Sequence, residues 1–152
     1  MCSSDLALAP GGLVLWAEDR PAGLGLSPRQ RQALVDQEQR ELQRRQRCYG
    51  ESGAEELRGR HLVVVDDGIA TGLTARAALL SLRSLQPSSL TLAVPVLDRR
   101  LEPELTALVE RLVAAAVVRQ LEAVGLWYEH FEQLDDATVI ALLSRQGAGL
   151  HA

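Results

Sequence analysis

Lysine is absent from this chain, and all sixteen of its Lys and Arg positions are arginine. That excludes every mechanism that turns on a lysine amine, including the phosphate-binding lysine of a P-loop and Schiff-base chemistry. A GC-rich genome is a sufficient cause of the bias. Cysteine is scarce as well: Cys2 and Cys48 are too few for a disulfide framework. No basic stretch leads into an apolar one after Met1, so nothing there reads as a secretion signal and the expected compartment is the cytoplasm. Long apolar runs are missing, and the longest, Leu112 to Val118, is far too short to cross a bilayer. Positive charge is in deficit too. A net charge of -4 and a pI near 5.4 leave no basic excess with which to displace counterions from nucleic acid, so no nucleic-acid partner is expected and any bound anion is held locally.

What is present suits one globular domain over residues 1–152, since 47% hydrophobic content over 152 residues is enough for a core. The chain is organised around Leu62 to Thr74. Leu62, Val63, Val64 and Val65 are four branched apolar residues in a row, the pattern of a strand buried on both faces. Asp66 and Asp67 follow, and then a run of small and hydroxyl residues.

Before this stretch, Leu6–Ala9 and Leu13–Trp16 flank Pro10, Gly11 and Gly12, which predicts two strands joined by a tight turn, or one strand and an extended lead-in. Pro21, Gly23 and Gly25 mark a loop. Ser27, Pro28 and Gln30 are placed as N-cap, first helical residue and reciprocal capping-box residue, so a helix is predicted from Pro28 to about Cys48. Its apolar stripe is narrow, Leu34, Val35, Leu42 and Tyr49, beside six arginines and three acids between residues 29 and 48. Such a helix lies on the surface or projects from the body. Its charges read either as a solvated face laced with pairs such as Asp36 with Arg40 and Glu41 with Arg45, or as a basic rim for an anionic ligand or partner subunit, with Arg44 and Arg45 reaching the ligand.

Gly50 to Gly59 reads as a loop. After the central stretch, apolar residues at 75, 78, 79, 82 and 85 have the spacing of a helix packed on a sheet, and Leu90 to Val96 reads as a second apolar strand. Strand, helix and strand at these lengths form a βαβ unit with a parallel pair. A short helix over Leu101–Glu110, a third strand over Leu112–Val118 and a last helix from Asp135-Asp136 to about Arg145, with Leu142 and Leu143 on its buried side, complete the prediction. The fold class is α/β, a mostly parallel sheet flanked by helices. Residues 121 to 136 hold three of the five aromatics, Trp127, Tyr128 and Phe131. Trp127 and Tyr128 are candidates for an acceptor pocket, against the more usual role of such aromatics in a core or interface. His130 has no spaced metal-ligand partner.

In an open parallel sheet, ligands bind beyond the carboxyl ends of the strands. Asp66 to Thr74 sits there, and Gly68, Ile69, Ala70, Thr71, Gly72, Leu73 and Thr74 feed a helix N-terminus, where unpaired N–H groups and the helix dipole favour an anion. Gly68 and Gly72 permit close backbone approach, and Thr71 and Thr74 add hydroxyl donors. Each charge-assisted hydrogen bond to a phosphate there contributes roughly 1.5 to 3 kcal/mol. Asp66 and Asp67 would repel a phosphate but suit hydroxyls or a hard cation, so a ligand with a phosphate at one end and a diol at the other, such as a sugar phosphate, fits both halves. The plainer reading is that the acids cap the next helix.

Val-Val-Val-Asp-Asp-Gly-Ile-Ala-Thr-Gly-Leu-Thr, ending at Thr74, resembles the phosphoribosyl pyrophosphate fingerprint of type I phosphoribosyltransferases over its full length. The flanks Glu38–Tyr49, Leu57–Arg60, Val94–Val96 and Ala123–Phe131 resemble a bacterial branch of uncharacterised phosphoribosyltransferases. The resemblance implies that Asp66 and Asp67 hold the ribose hydroxyls, directly or through magnesium, and that Gly68 to Thr74 wrap the 5-phosphate. It implies transfer of ribose 5-phosphate from phosphoribosyl pyrophosphate to an unidentified acceptor, for which a nucleobase is the candidate, through a transition state with oxocarbenium character, and a homodimer as the candidate assembly. Where the family often has an assisting acid, this chain has Ile69 or Ala70, so no catalytic base is carried over. Leu121 stands where an aromatic stacks on the purine in hypoxanthine-guanine phosphoribosyltransferases. The family's early strand and pyrophosphate loop precede the segment matching Asp5–Ala9, so an unpaired sheet edge and a leaving group without a partner are expected. A non-catalytic binding or regulatory protein, or a degenerate remnant, is the alternative. A receiver domain shares the strand and acid pair but needs a lysine.

Overall fold

The structure, a computed structural model, describes residues 6–17, 26–50 and 53–147. The predicted loop at Pro21–Gly25 lies outside the described residues. Two strands, β1 (Leu6–Ala9) and β2 (Leu13–Trp16), form an antiparallel hairpin with Leu6 opposite Trp16 and Ala9 opposite Leu13. Its turn needs glycine, because Gly11 and Gly12 take φ of +87° and +80°. The first of the two predicted arrangements is therefore the one adopted.

Helix α1 (Pro28–Tyr49) begins as the sequence predicts: Ser27 and Gln30 close a reciprocal capping box, with Pro28 in the first turn. None of its residues is buried, as its narrow apolar stripe requires. Glu41 pairs with Arg45 at 2.8 Å, but Asp36 accepts from Gln32 Nε2 at 2.8 Å rather than pairing with Arg40. The predicted loop at Gly50–Gly59 contains one further helical turn, α2 (Ala54–Leu57), too short to carry a periodic signal.

The second sheet has three parallel strands in the order β3 (His61–Val65), β4 (Ser89–Asp98), β5 (Arg111–Val118). Helix α3 (Leu73–Ser84) joins β3 to β4, the predicted βαβ unit. A 3-10 turn over Arg99–Leu101 and helix α4 (Glu102–Ala107) join β4 to β5. Leu79, Leu90, Leu92, Leu97 and Leu105 are fully buried in one cluster between α3, α4 and the central strand, each worth about 1.5–3 kcal/mol of transfer free energy. On its other side α3 packs Leu73 and Ala77 against Ala7 and Ala9 of the hairpin. This helix is thus held between the two sheets, which fixes the position of its N-terminus.

Two burial expectations are corrected. Strand β3 is covered on one face only: Leu62 and Val64 pack on the core, while Val63 and Val65 are 63% and 73% exposed. An unbroken apolar run states that both faces are apolar, not that both are covered. Among the described residues β3 is also an edge of the sheet. The last helix, α5 (Asp136–Gly147), forms where predicted, with Thr138 N–H donating to the Asp135 carboxylate at 2.8 Å as a cap. Leu142 and Leu143 are about half exposed, at 48% and 50%. They do not face a core; the hydrogen bonds described between α5 and α1 join polar groups of Arg44, Tyr49 and Asp136.

Candidate functional site

Asp66 to Gly72 leave the carboxyl end of β3 and enter α3. The loop is pinned to β4 from its middle: Ile69 N–H donates to the Val96 carbonyl and Asp98 N–H donates to the Ile69 carbonyl, both at 3.0 Å. The Ile69 side chain is buried, at 2% exposure. This residue therefore anchors the loop and has neither backbone polar group to spare. Leu73 is likewise buried in the core. Thr71 and Thr74 are exposed, and with partly exposed Ala70 they line the outer side of the turn.

Gly72 is the N-cap of α3 with φ of +75°, a left-handed conformation, and no side chain caps the helix. The Gly72 carbonyl accepts the first helical bond from Arg76 N–H at 2.8 Å. The first-turn N–H groups, which have no intrahelical partners, thus point outward at the positive end of the dipole. Gly68 is required by space: a Cβ there would lie 2.7 Å from Val124 Cγ1 and 2.7 Å from Val96 Cγ1.

The acid pair is divided by its surroundings. Asp66 is half-buried and its Oδ1 accepts from Asp67 N–H at 3.0 Å. Burial, together with the neighbouring Asp67 charge, holds the Asp66 carboxyl above its ordinary range, although the Asp67 N–H bond opposes the rise. Asp67 is exposed. Two adjacent carboxylates, one desolvated, form a site short of positive charge, which a hard divalent cation suits. Among the described residues no three metal-ligating side chains cluster. Such an ion would therefore be held by this pair together with ligand oxygens and water, the usual arrangement for magnesium.

A second loop closes over the first. After β5, Leu121 is buried at 3% exposure, and its N–H donates to Asp98 Oδ2 at 2.9 Å. Its side chain therefore offers no surface for stacking. A 3-10 turn over Val124–Trp127 follows, and the Tyr128 hydroxyl donates to the Asp67 carbonyl at 2.6 Å. Phe131 packs beside Tyr128 with ring centroids 5.2 Å apart and lies over Gly125, where a Cβ would come within 2.8 Å of the ring. Of the two predicted pocket residues, Tyr128 reaches the acid pair, whereas Trp127 is 52% exposed.

Sequence reasoning did not single out Asp98, the one fully buried charged residue among those described. Its carboxylate accepts from Leu121 N–H, from Arg100 N–H at 2.9 Å and from the Arg100 guanidinium at 2.7 Å. Arg100 and these N–H donors hold its carboxyl well below the usual range despite desolvation. The available signal was its place, a lone acid at the carboxyl end of an apolar parallel strand.

Arg44 and Arg45, the predicted rim of α1, are each bonded to Glu41 at 2.8 Å. Their guanidiniums pull the Glu41 carboxyl down to about 2. Arg44 also bonds Asp136 at 2.5 Å, and the Tyr49 hydroxyl donates to the same carboxylate. His61 Nδ1 lies 2.7 Å from Ser89 Oγ at the far, amino end of the sheet, and His130 is exposed on the second loop. No helix among the described residues is long and apolar enough to cross a membrane.

Comparison with known proteins agrees with this geometry. The chain is 33% identical over 141 residues to a Mycobacterium tuberculosis protein named "Putative phosphoribosyl transferase", present in two strains of that organism. That alignment covers 91% of this chain and 32% of the mycobacterial protein, so the chain spans about a third of the length of the curated relatives it matches. The crystal structure of TT1426 from Thermus thermophilus superposes with a TM-score of 0.61 at 27% identity, over 92% of this chain and 66% of that one. Residues 25–126, which include the acid pair, the turn and the buried Asp98, match the model of the phosphoribosyl transferase domain. The chain belongs to the phosphoribosyl transferase domain family, as the resemblance of Val63–Thr74 to the type I fingerprint implies.

Proposed function

We propose that this chain binds phosphoribosyl pyrophosphate with magnesium at Asp66–Thr74 and transfers ribose 5-phosphate to a nitrogen acceptor of the nucleobase class. The observation that carries this reading is the turn itself: a helix N-terminus opened by left-handed Gly72, uncapped by any side chain, directly after a half-buried acid pair. The 5-phosphate sits on the first-turn N–H groups of α3 and the hydroxyls of Thr71 and Thr74. Asp66 and Asp67 take the ribose hydroxyls or the cation beside them. Magnesium, when bound, supplies positive charge against the donor's oxyanions.

In the reaction, the bond from ribose C1 to the pyrophosphate oxygen breaks and a bond from C1 to the acceptor nitrogen forms. The electron pair leaves with pyrophosphate, and the acceptor's proton passes to water. Positive charge develops on the ribose between these events, and carboxylates at Asp66 and Asp67 beside it would offset that charge. Tyr128 bears on the acid pair through the Asp67 carbonyl, which supports a role for the loop after β5 as one wall of the acceptor pocket.

A second reading has its own observation. Ile69 is buried with both backbone polar groups committed, and Ala70 carries no proton-transfer group. The turn thus lacks a base, which suits a protein that binds the donor without turning it over. Pyrophosphate release, followed with magnesium and a panel of purine and pyrimidine bases, separates the two. Release that disappears in Asp66→Asn, Asp67→Asn protein supports transfer. Binding of the donor without release under any base supports the non-catalytic reading.

A further inference from the structure

Four large apolar side chains stand open to water in the loop after β5: Leu126 is 75% exposed, and Trp127, Phe131 and Leu134 are each exposed by half or more. The loop that carries them is held in shape. Leu126 and Tyr128 N–H groups close the 3-10 turn on the Ala123 and Gly125 carbonyls, and Phe131 is fixed beside Tyr128 and over Gly125. Ordered aromatic side chains of this kind lose little entropy when covered, which suits them as anchors in an interface. An exposed apolar patch of this sort marks an interaction surface.

The charge of the loop names the chemistry of what covers it. Residues 122–135 carry four acids, Glu122, Glu129, Glu132 and Asp135, and no arginine. All four are exposed. Asp135 caps α5, whereas among the described residues no ion pair engages Glu122, Glu129 or Glu132. An acidic, aromatic surface fits an arginine-rich one, because a guanidinium both pairs with carboxylates and stacks on aromatic faces.

The chain itself holds such a surface. On α1, Arg29, Arg40 and Arg47 are separated by 11 and 7 residues, close to whole helical turns, so they share one face. All three are exposed, and among the described residues no ion pair engages them. Asp36 lies on the same face and accepts from Gln32, so the face keeps a net positive charge. Within one chain, the hydrogen bonds from α1 to Asp136, just past the loop, come from Arg44 and Tyr49. Arg29 stands about 22 Å further along the helix axis. A second copy related by a two-fold axis brings the acidic loop of each onto the arginine face of the other.

We propose that the loop over residues 122–135 docks on α1 of a second copy of this chain, reciprocally, with Glu129 and Glu132 of each copy facing Arg29 and Arg40 of the other and with Trp127 and Phe131 covered by the contact. A stable pair buries roughly 1,600 Å² in all, and the two-fold makes every contact twice. The interface does not depend on the proposed transfer reaction. It bears on the same region of the molecule, since Tyr128 joins this loop to Asp67.

The test is sedimentation velocity of the whole chain over a range of protein and salt concentrations. One variant is Glu129→Arg, Glu132→Arg and the other is Arg29→Glu, Arg40→Glu. All four positions are exposed, so melting temperatures equal to wild type verify that both variants are folded. Expected is a wild-type dimer that weakens as salt rises, and a loss of association of about tenfold or more in each variant alone. Mixing the two variants in equal amounts is expected to restore a dimer, because the mixed pair matches acid with base at both contacts. A wild type that is monomeric at every concentration, a dimer whose affinity neither variant changes, or no recovery on mixing overturns the proposal. A monomer that instead binds an oligoarginine peptide through the loop gives the patch to a different partner and overturns it as well.

Discussion

The Tyr128 hydroxyl donates a 2.6 Å hydrogen bond to the backbone carbonyl of Asp67. That bond couples the loop after β5 to the acid pair. Tyr128→Phe keeps the ring contact with Phe131 and removes only the bond. It is expected to lower stability by about 1 kcal/mol. It is also expected to weaken donor binding by up to about fivefold, the equivalent of about 1 kcal/mol. Thermal melts and donor titration measure both, and unchanged donor affinity would show that the loop and the acid pair are uncoupled.

Gly68 lies where that loop meets β4. Gly68→Ala drives a methyl to 2.7 Å from Val124 and Val96 side-chain carbons, an overpacking that costs about 1–3 kcal/mol. Val124→Ala in the same protein frees one of the two contacts and is expected to recover part of the loss. If the double variant is no more stable than Gly68→Ala alone, the clash is not with the loop.

Asp98 ties the end of β4 to Leu121 and so holds the second loop in place. Asp98→Ala removes a buried carboxylate and orphans its donors, at an expected cost of about 3 kcal/mol, or a fall in Tm on the order of 10 °C. The pH dependence has a definite sign. Its folded pKa is depressed, chiefly by Arg100, so its contribution is complete above the ordinary aspartate range near about 4 and is lost as pH falls below it. Melts across that window should show an acid-side loss of stability in the wild type that is smaller in Asp98→Ala; an identical loss in both would assign acid sensitivity elsewhere.

Much of this arrangement can be read in the sequence where the signal is local. Ser27, Pro28 and Gln30 announce the start of α1 because a capping box is made within four residues. Val63–Thr74 announces the turn because strand, acids and glycines are contiguous. What escapes is non-local. The open face at Val63 and Val65 depends on what packs there, and the burial of Asp98 depends on Leu121, which is 23 residues later. The exposure of Leu142 and Leu143 depends on what packs against α5. Periodicity carries none of these facts, since it describes a face and not its neighbour. Ile69 is the instructive case inside the motif: its place in the turn suggests a ligand contact, whereas its hydrogen bonds to Val96 and Asp98 make it the turn's anchor.

The acid pair carries the central claim, and its titration adds a control. Burial raises the Asp66 pKa, so its charged form is disfavoured in the folded protein, and stability lost to that charge is regained as pH falls through the raised value. A bound cation reverses the preference. Magnesium-dependent donor binding should therefore weaken as pH falls through the Asp66 titration, with one proton taken up as the site empties.

The most direct measurement is calorimetric titration of phosphoribosyl pyrophosphate, with magnesium, into wild-type protein and into Asp66→Asn, Asp67→Asn protein of equal melting behaviour. Binding by the wild type in the micromolar to millimolar range, abolished or weakened by about a hundredfold in the variant, is the predicted result, since two charge-assisted contacts at roughly 1.5 kcal/mol or more each are lost. Equal affinity in the two proteins would contradict the assignment of Asp66–Thr74 as the donor site.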